Sequence, residues 1–173
     1  MPRHAALLRG VSPMNLKMPV LKQSLEGIGM TDVVTLLSSG NVVFSCRKAS
    51  VETLQKKCEE AVLATTGRHF MTIVRSLEDL QALVDSDPYS AHRVPAGAKR
   101  IVTFLREPPD PPKKLPIEKD RSEILALRDR EALGIYVPTP KGPVFMTLLE
   151  KTFGKDITTR TWDTVVKITK KAA

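Results

Sequence analysis

Between residues 3 and 74 the sequence alternates short β-type runs with helix-period stretches in the order βαββαβ, and few architectures accept that order. Residues 3–9, RHAALLR, are apolar and closed by the turn signal of Gly10, which predicts a buried strand. Pro19 suits a first helical turn. Met18, Leu21, Leu25 and Ile28 follow at helical spacing, and Gly29 supplies a stop. DVVTLLSS (32–39) and VVFSC (42–46) flank Gly40-Asn41 and predict a hairpin. Ser50 is placed to cap a helix with the stripe Val51, Leu54, Cys58, Ala61 and Val62, closed by Gly67. FMTIV (70–74) predicts a fourth strand, completing the split unit of the ferredoxin-like fold. Ser76-Leu77-Glu78-Asp79 has the form of a capping box, and Leu77, Leu80, Leu83 and Val84 carry that helix to Asp87-Pro88.

The second half is similar in outline. RIVTFL (100–105) predicts a strand. EPPDPPKKLP (107–116) is too rich in proline for a regular helix, so an irregular crossover is expected there. SEILALR (122–128) and ALGIYVP (132–138) predict a hairpin around Asp129-Arg130-Glu131. Pro143 can open a helix carrying Phe145, Leu148, Leu149 and Phe153, ended by Gly154. A last helix over about 161–171 presents Trp162, Val165, Val166 and Thr169. The expected fold is therefore α+β: two ferredoxin-like lobes of βαββα type, with helices packed on antiparallel sheets. Lobe one spans residues 1–90 and lobe two residues 91–173, joined near Pro95 and Gly97.

Composition restricts the function classes. At 173 residues and 42% apolar, the chain can bury a real core. No secretory signal and no membrane-spanning run is evident, so a cytoplasmic protein is expected. Cys46 and Cys58 form no C-x-x-C, and His4, His69 and His92 lack metal-site spacing; no metal and no cofactor is expected. Cys58 falls on an apolar helix stripe and reads as a core thiol. The net charge of +8 is uneven: residues 1–90 carry ten Lys/Arg against nine Asp/Glu, and residues 91–173 carry seventeen against ten. A basic second half attracts polyanions or phosphorylated ligands.

Topology suggests where polar residues meet. In a βαββαβ unit, the end of strand one and the hairpin joining strands two and three share one edge of the sheet. That edge receives Arg9-Gly10, the loop with Asn15 and Lys17, and the turn with Ser39, Gly40 and Asn41. Arginine offers a planar donor fork for carboxylate or phosphate, and glycine lets backbone N–H groups approach closely. Ser-Gly-Asn is also ordinary turn chemistry, and Arg9 can simply pair with a surface acid. A second polar cluster, Thr158-Thr159-Arg160-Thr161-Trp162-Asp163, precedes the last helix. Thr161 can cap it, and Arg160 then sits beside an electropositive helix end. Trp162 reads as a core anchor.

LLRGV (7–11), SSGNVVFS (38–45) and the TTRTWDTVVK stretch beginning at Thr158 resemble a widespread bacterial family known as domain of unknown function 1697. The resemblance runs over essentially the whole chain. It implies two ferredoxin-like lobes and a common site around Arg9, Asn41 and Arg160, without assigning an activity. Where many members carry a glycine-rich basic loop after the first strand, this chain reads SPMNLK (12–17). Where many carry a basic Gly-Arg-Ser-Lys-type helix start, it reads PKGPVF (140–145). Both departures remove donors, though Lys17 and Lys141 remain.

No P-loop, dinucleotide fingerprint, H-E-x-x-H or G-x-S-x-G elbow is present, and Ser39 has no evident base. The strands HAALLR and VVFSC offer only Phe44 as an aromatic, which disfavours RNA recognition on the sheet face. The expected function is a binding protein that holds a small anionic or phosphate-bearing ligand at Arg9, Asn15, Lys17, Ser39, Gly40 and Asn41, completed by Thr159 and Arg160. The alternatives are a small-metabolite enzyme, or an interaction module for an acidic partner or nucleic acid.

Overall fold

The structure is a computed structural model and describes residues 1–109, 113–140, 142 and 144–172. Expectations for Lys141 and Pro143 lie outside the described residues. Two compact units are present. One is Met1–Ala82 together with the described residues from Lys167 on; the other is Leu83–Val166.

In the first unit, β1 (Arg3–Leu8), α1 (Met18–Glu26), β2 (Thr31–Leu36), β3 (Asn41–Ser45), α2 (Val51–Thr66), β4 (Thr72–Ser76) and most of α3 (Leu77–Asp85) follow in order. The sheet order is β2-β3-β1-β4, with every pairing antiparallel, as the split unit requires. Ala6 and Leu8, Val42 and Phe44, and Val74 form one core with Leu21, Leu25, Leu54, Cys58 and Val62 of α1 and α2. The alternate residues Ala5, Leu7, Val43 and Ile73 are no more than 1% exposed, so both faces of the central strands are closed to water.

The caps act where the sequence places them. Ser50 Oγ accepts from the Thr53 N–H (3.1 Å), and Gly67 ends α2 at φ 75°. Helix α1 stops at Glu26 rather than Ile28. The Gly29 N–H returns to Glu26 O and the Met30 N–H to Leu25 O, a Schellman closure with Gly29 at φ 90°. Ile28 is thereby turned outward to 44% exposure instead of joining the core.

Strand limits also move. β4 begins at Thr72, two residues beyond the expected start. The hairpin turn is 37–40, so Asn41 opens β3 instead of sitting in the turn. The Gly-Asn signal misplaces the turn because Leu37 adopts φ 57° and Gly40 φ 87°, closing a four-residue loop. β4 lies at the sheet edge, with β1 as its strand neighbour among the described residues. Two buried side chains one helical turn apart on α2 supply acceptors: Gln55 Oε1 takes the Val74 N–H (3.1 Å) and Glu59 Oε2 the Thr72 N–H (2.9 Å).

The second unit contains β5 (Lys99–Leu105), β6 (Ile117–Lys119), β7 (Ser122–Arg128), β8 (Glu131–Tyr136), α4 (Val144–Phe153) and β9 (Ile157–Thr161), and the start of α5 (Trp162–Ala172). Its sheet, β6-β7-β8-β5-β9, repeats the order of the first sheet and adds β6 at one edge. No helix is present between β5 and β7 among the described residues, as the prolines demand. The core joins Ile101, Leu105, Ile124 and Ala132 to Leu148 and Leu149 of α4 and Ile157 of β9. Strand β9 was not expected: TTRT reads as a polar cluster, yet it pairs with β5 over five residues, Ile157 to Thr161.

The repeat extends to single residues. Arg75 in β4 and Arg160 in β9 each immediately precede the hydroxyl residue that caps the following helix. Ser76 Oγ accepts from the Asp79 N–H (3.0 Å) and Thr161 Oγ1 from the Thr164 N–H (3.3 Å). Each arginine is buried and donates through Nη1 to the carbonyl of the residue before it, Val74 (3.0 Å) or Thr159 (2.9 Å).

Candidate functional site

The expected site residues are distributed over both units, and each set is described within its own. In the first unit, Leu7 pairs with Asn41, and the Leu8 N–H donates to Gly40 O (2.9 Å), which brings the end of β1 beside the hairpin turn. Asn15 and Asn41 hold the two loops. Asn15 Oδ1 accepts from the Ser12 N–H (2.9 Å), and its Nδ2 donates to Gly10 O (2.8 Å). Asn41 is fully buried; its Nδ2 donates to Leu36 O (3.0 Å) and to Ser39 Oγ (2.9 Å), so both amide hydrogens close the turn. Arg9 is half-buried at the strand end, and Lys17 is exposed at the start of α1. The edge therefore gathers as topology requires, with its asparagines engaged as loop staples.

In the second unit, strand geometry divides the TTRTW segment between two faces. Thr159 Oγ1 meets Thr103 Oγ1 at 2.8 Å on the neighbouring strand. Arg160 points the other way and is 7% exposed; its Nη1 donates to Thr158 Oγ1 (2.7 Å). Burial pulls its guanidinium down to about 10, and it still carries its charge at neutral pH. Thr161 and Trp162 have a different setting. With Ala98, Lys99, Arg100, Tyr136 and Asp163 they line a cleft of about 400 Å³. Trp162 stands edge-on to Tyr89 (5.2 Å between centroids), and the Arg100 guanidinium lies 5.7 Å from the Tyr89 ring centre. Tyr89 is buried and donates its hydroxyl to Ile101 O; burial raises its pKa, with the Gly134 backbone contact and Arg100 opposing. The cleft thus has an aromatic wall and two exposed cations against one carboxylate. Lys99, Arg100 and Tyr136 were not singled out in the sequence, because only the β5–β8 register, which pairs Lys99 with Tyr136, reveals their proximity.

Both cysteines and His4 are buried. Cys58 is buried, with its thiol pushed up to about 12, chiefly by desolvation. Cys46 Sγ lies 3.9 Å from Nδ1 of the buried His4, whose pKa is lowered by desolvation and partly restored by Asp79. Among the described residues no cluster of three or more His, Cys, Asp or Glu is arranged to hold a metal ion. Among them, too, no helix is long and apolar enough to cross a membrane.

The fold and these sites define a two-unit α+β protein with a ferredoxin-like first sheet. The family described as Protein of unknown function (DUF1697) matches residues 1–132, and the chain belongs to it. Among solved structures, the chain is similar to the conserved bacterial protein SP0830 from Streptococcus pneumoniae, with a TM-score of 0.69 at 20% identity over 99% of both chains; that likeness concerns the fold. No curated protein matches the chain.

Proposed function

We propose that the chain is a cytoplasmic binding protein for a small anionic or phosphate-bearing ligand, seated in the cleft beside Thr161 and Trp162. One observation carries this reading: Lys99 and Arg100 converge with Tyr136 and Trp162 on a single cleft of about 400 Å³, within the range of small-molecule sites. The cations would attract the charged group, and the aromatic wall would accept an apolar or planar remainder. The ligand class is the one expected from the sequence, but the seat differs. Asn15 and Asn41 hold their own loops, and Arg160 is engaged along its own strand. Lys17, exposed at the start of α1, would add long-range attraction of the ligand in this reading.

A thermal-shift screen of nucleotides, sugar phosphates and carboxylates tests it, read together with fluorescence of Trp162, the only tryptophan in the chain. A binding compound is expected to raise the melting temperature and change Trp162 emission, and Lys99→Ala with Arg100→Ala is expected to remove both effects. Equal binding by that double variant overturns the proposal.

A further inference from the structure

The first unit contains a second groove, at the end of its sheet where β3 leaves and α2 begins. It encloses about 380 Å³ and is lined by residues of the α1–β2 turn (Ile28, Gly29, Met30), the β3 exit (Cys46, Arg47, Lys48, Ala49) and α2 (Leu54, Lys57). The floor is apolar, with Met30 at 5% and Leu54 at 1% exposure, and Ile28 stands at the mouth. The rim carries three exposed cations, Arg47, Lys48 and Lys57. No carboxylate is among the lining residues, and among the described residues none of the three cations has an ion-pair partner. Lys57 is close enough for its charge to act on Cys46, where it opposes the larger effect of burial, which raises the thiol pKa.

Three like charges around one apolar floor repel each other, and an occupant that supplies negative charge relieves that repulsion. The helix closure at Gly29 turns Ile28 out to the groove, so the apolar floor extends to its mouth. We infer that this groove is a binding site for a small amphipathic anion: a phosphate or carboxylate head held by Arg47, Lys48 and Lys57, carrying a short apolar or aromatic group against Met30, Leu54 and Ile28. The site shares no residue with the cleft beside Trp162, so each stands or falls alone.

Phenyl phosphate is the probe, and the Met30 methyl group, assigned with Met30→Leu, is the reporter in spectra of the full chain labelled at its methionine methyl carbons. Phenyl phosphate is expected to shift Met30 saturably. Lys57→Glu and Arg47→Glu should each raise the dissociation constant at least tenfold while the melting temperature shows that they fold. Inorganic phosphate and benzyl alcohol, each holding half of the required chemistry, should need at least tenfold higher concentration. An unmoved Met30 methyl overturns the site. Unchanged affinity in both charge-reversal variants overturns the role of the rim, and equal binding of inorganic phosphate overturns the role of the floor. Lys99→Glu with Arg100→Glu should leave the Met30 response as it is. A response lost in that variant assigns the binding to the other cleft and defeats the inference.

Discussion

Gly40 and Val11 approach so closely that a Cβ placed on the glycine would lie 2.9 Å from Val11 Cγ2 and 3.1 Å from Leu8 Cβ. The hairpin turn is seated directly on the loop that leaves β1, and the glycine also holds φ 87°. Gly40→Ala therefore meets both backbone strain and overlap, and a loss of about 2 kcal/mol or more is expected in urea unfolding. Gly10→Ala, at φ 75° with open space around its Cβ, should lose only about 1 kcal/mol. Equal losses would show that strain alone fixes the turn.

Asn41→Ala removes a fully buried amide that closes the same turn. The expected loss is about 1–3 kcal/mol, while Lys17→Ala, at an exposed position, should stay within about 0.5 kcal/mol. Chemical denaturation of the two variants makes the comparison. A neutral Asn41→Ala would mean that water takes over both acceptors.

Trp162→Ala empties a nearly closed position against Tyr89 and should cost about 3–5 kcal/mol. Arg160→Ala is expected to be structural as well, because its guanidinium bonds along its own strand. Arg75→Ala should behave alike by the correspondence of the two sheets. Thermal melts of the three variants settle this; an Arg160→Ala protein that melts like the parent removes the structural role.

Alkaline sensitivity should arise partly at Cys58. Its thiol is raised from 9.0 to about 12 on folding, so between those values the unfolded chain releases a proton that the folded chain keeps. Stability from this group is complete below pH 9 and is lost as pH rises towards 12, at up to about 1.4 kcal/mol per pH unit. Tyr89, also raised by burial, pulls the same way above its ordinary range. Cys58→Ala should flatten the pH dependence of the denaturation midpoint between pH 9 and 10.5, and an unchanged slope would assign the effect elsewhere.

Local signals in the sequence proved physically decisive where one side chain or one glycine does the work. Ser50, Ser76, Thr161 and Gly67 each end or begin a helix as read, because capping depends on neighbours within a few residues. The βαββαβ order was legible for the same reason. Strand β9 was not: in ITTRT the buried partner of the apolar face is an arginine, and no local pattern predicts a closed guanidinium. Gln55 and Glu59 lie outside the apolar stripe that marks α2 in the sequence, since their purpose lies across space at β4. Both clefts are assembled from segments far apart in the chain, so only pairing and helix packing expose them.

The acceptors that Gln55 and Glu59 hold against β4 bear on how the first sheet can grow. A strand from another molecule extends a sheet by docking onto free main-chain donors, and two of those on the β4 side are already taken by the protein's own helix. Any such addition would have to come alongside β2, the opposite margin, where the register shift between Thr31 and Val34 bends the ladder and makes a flat approach harder. Self-templated stacking is thus opposed at one border by side chains and at the other by a kink.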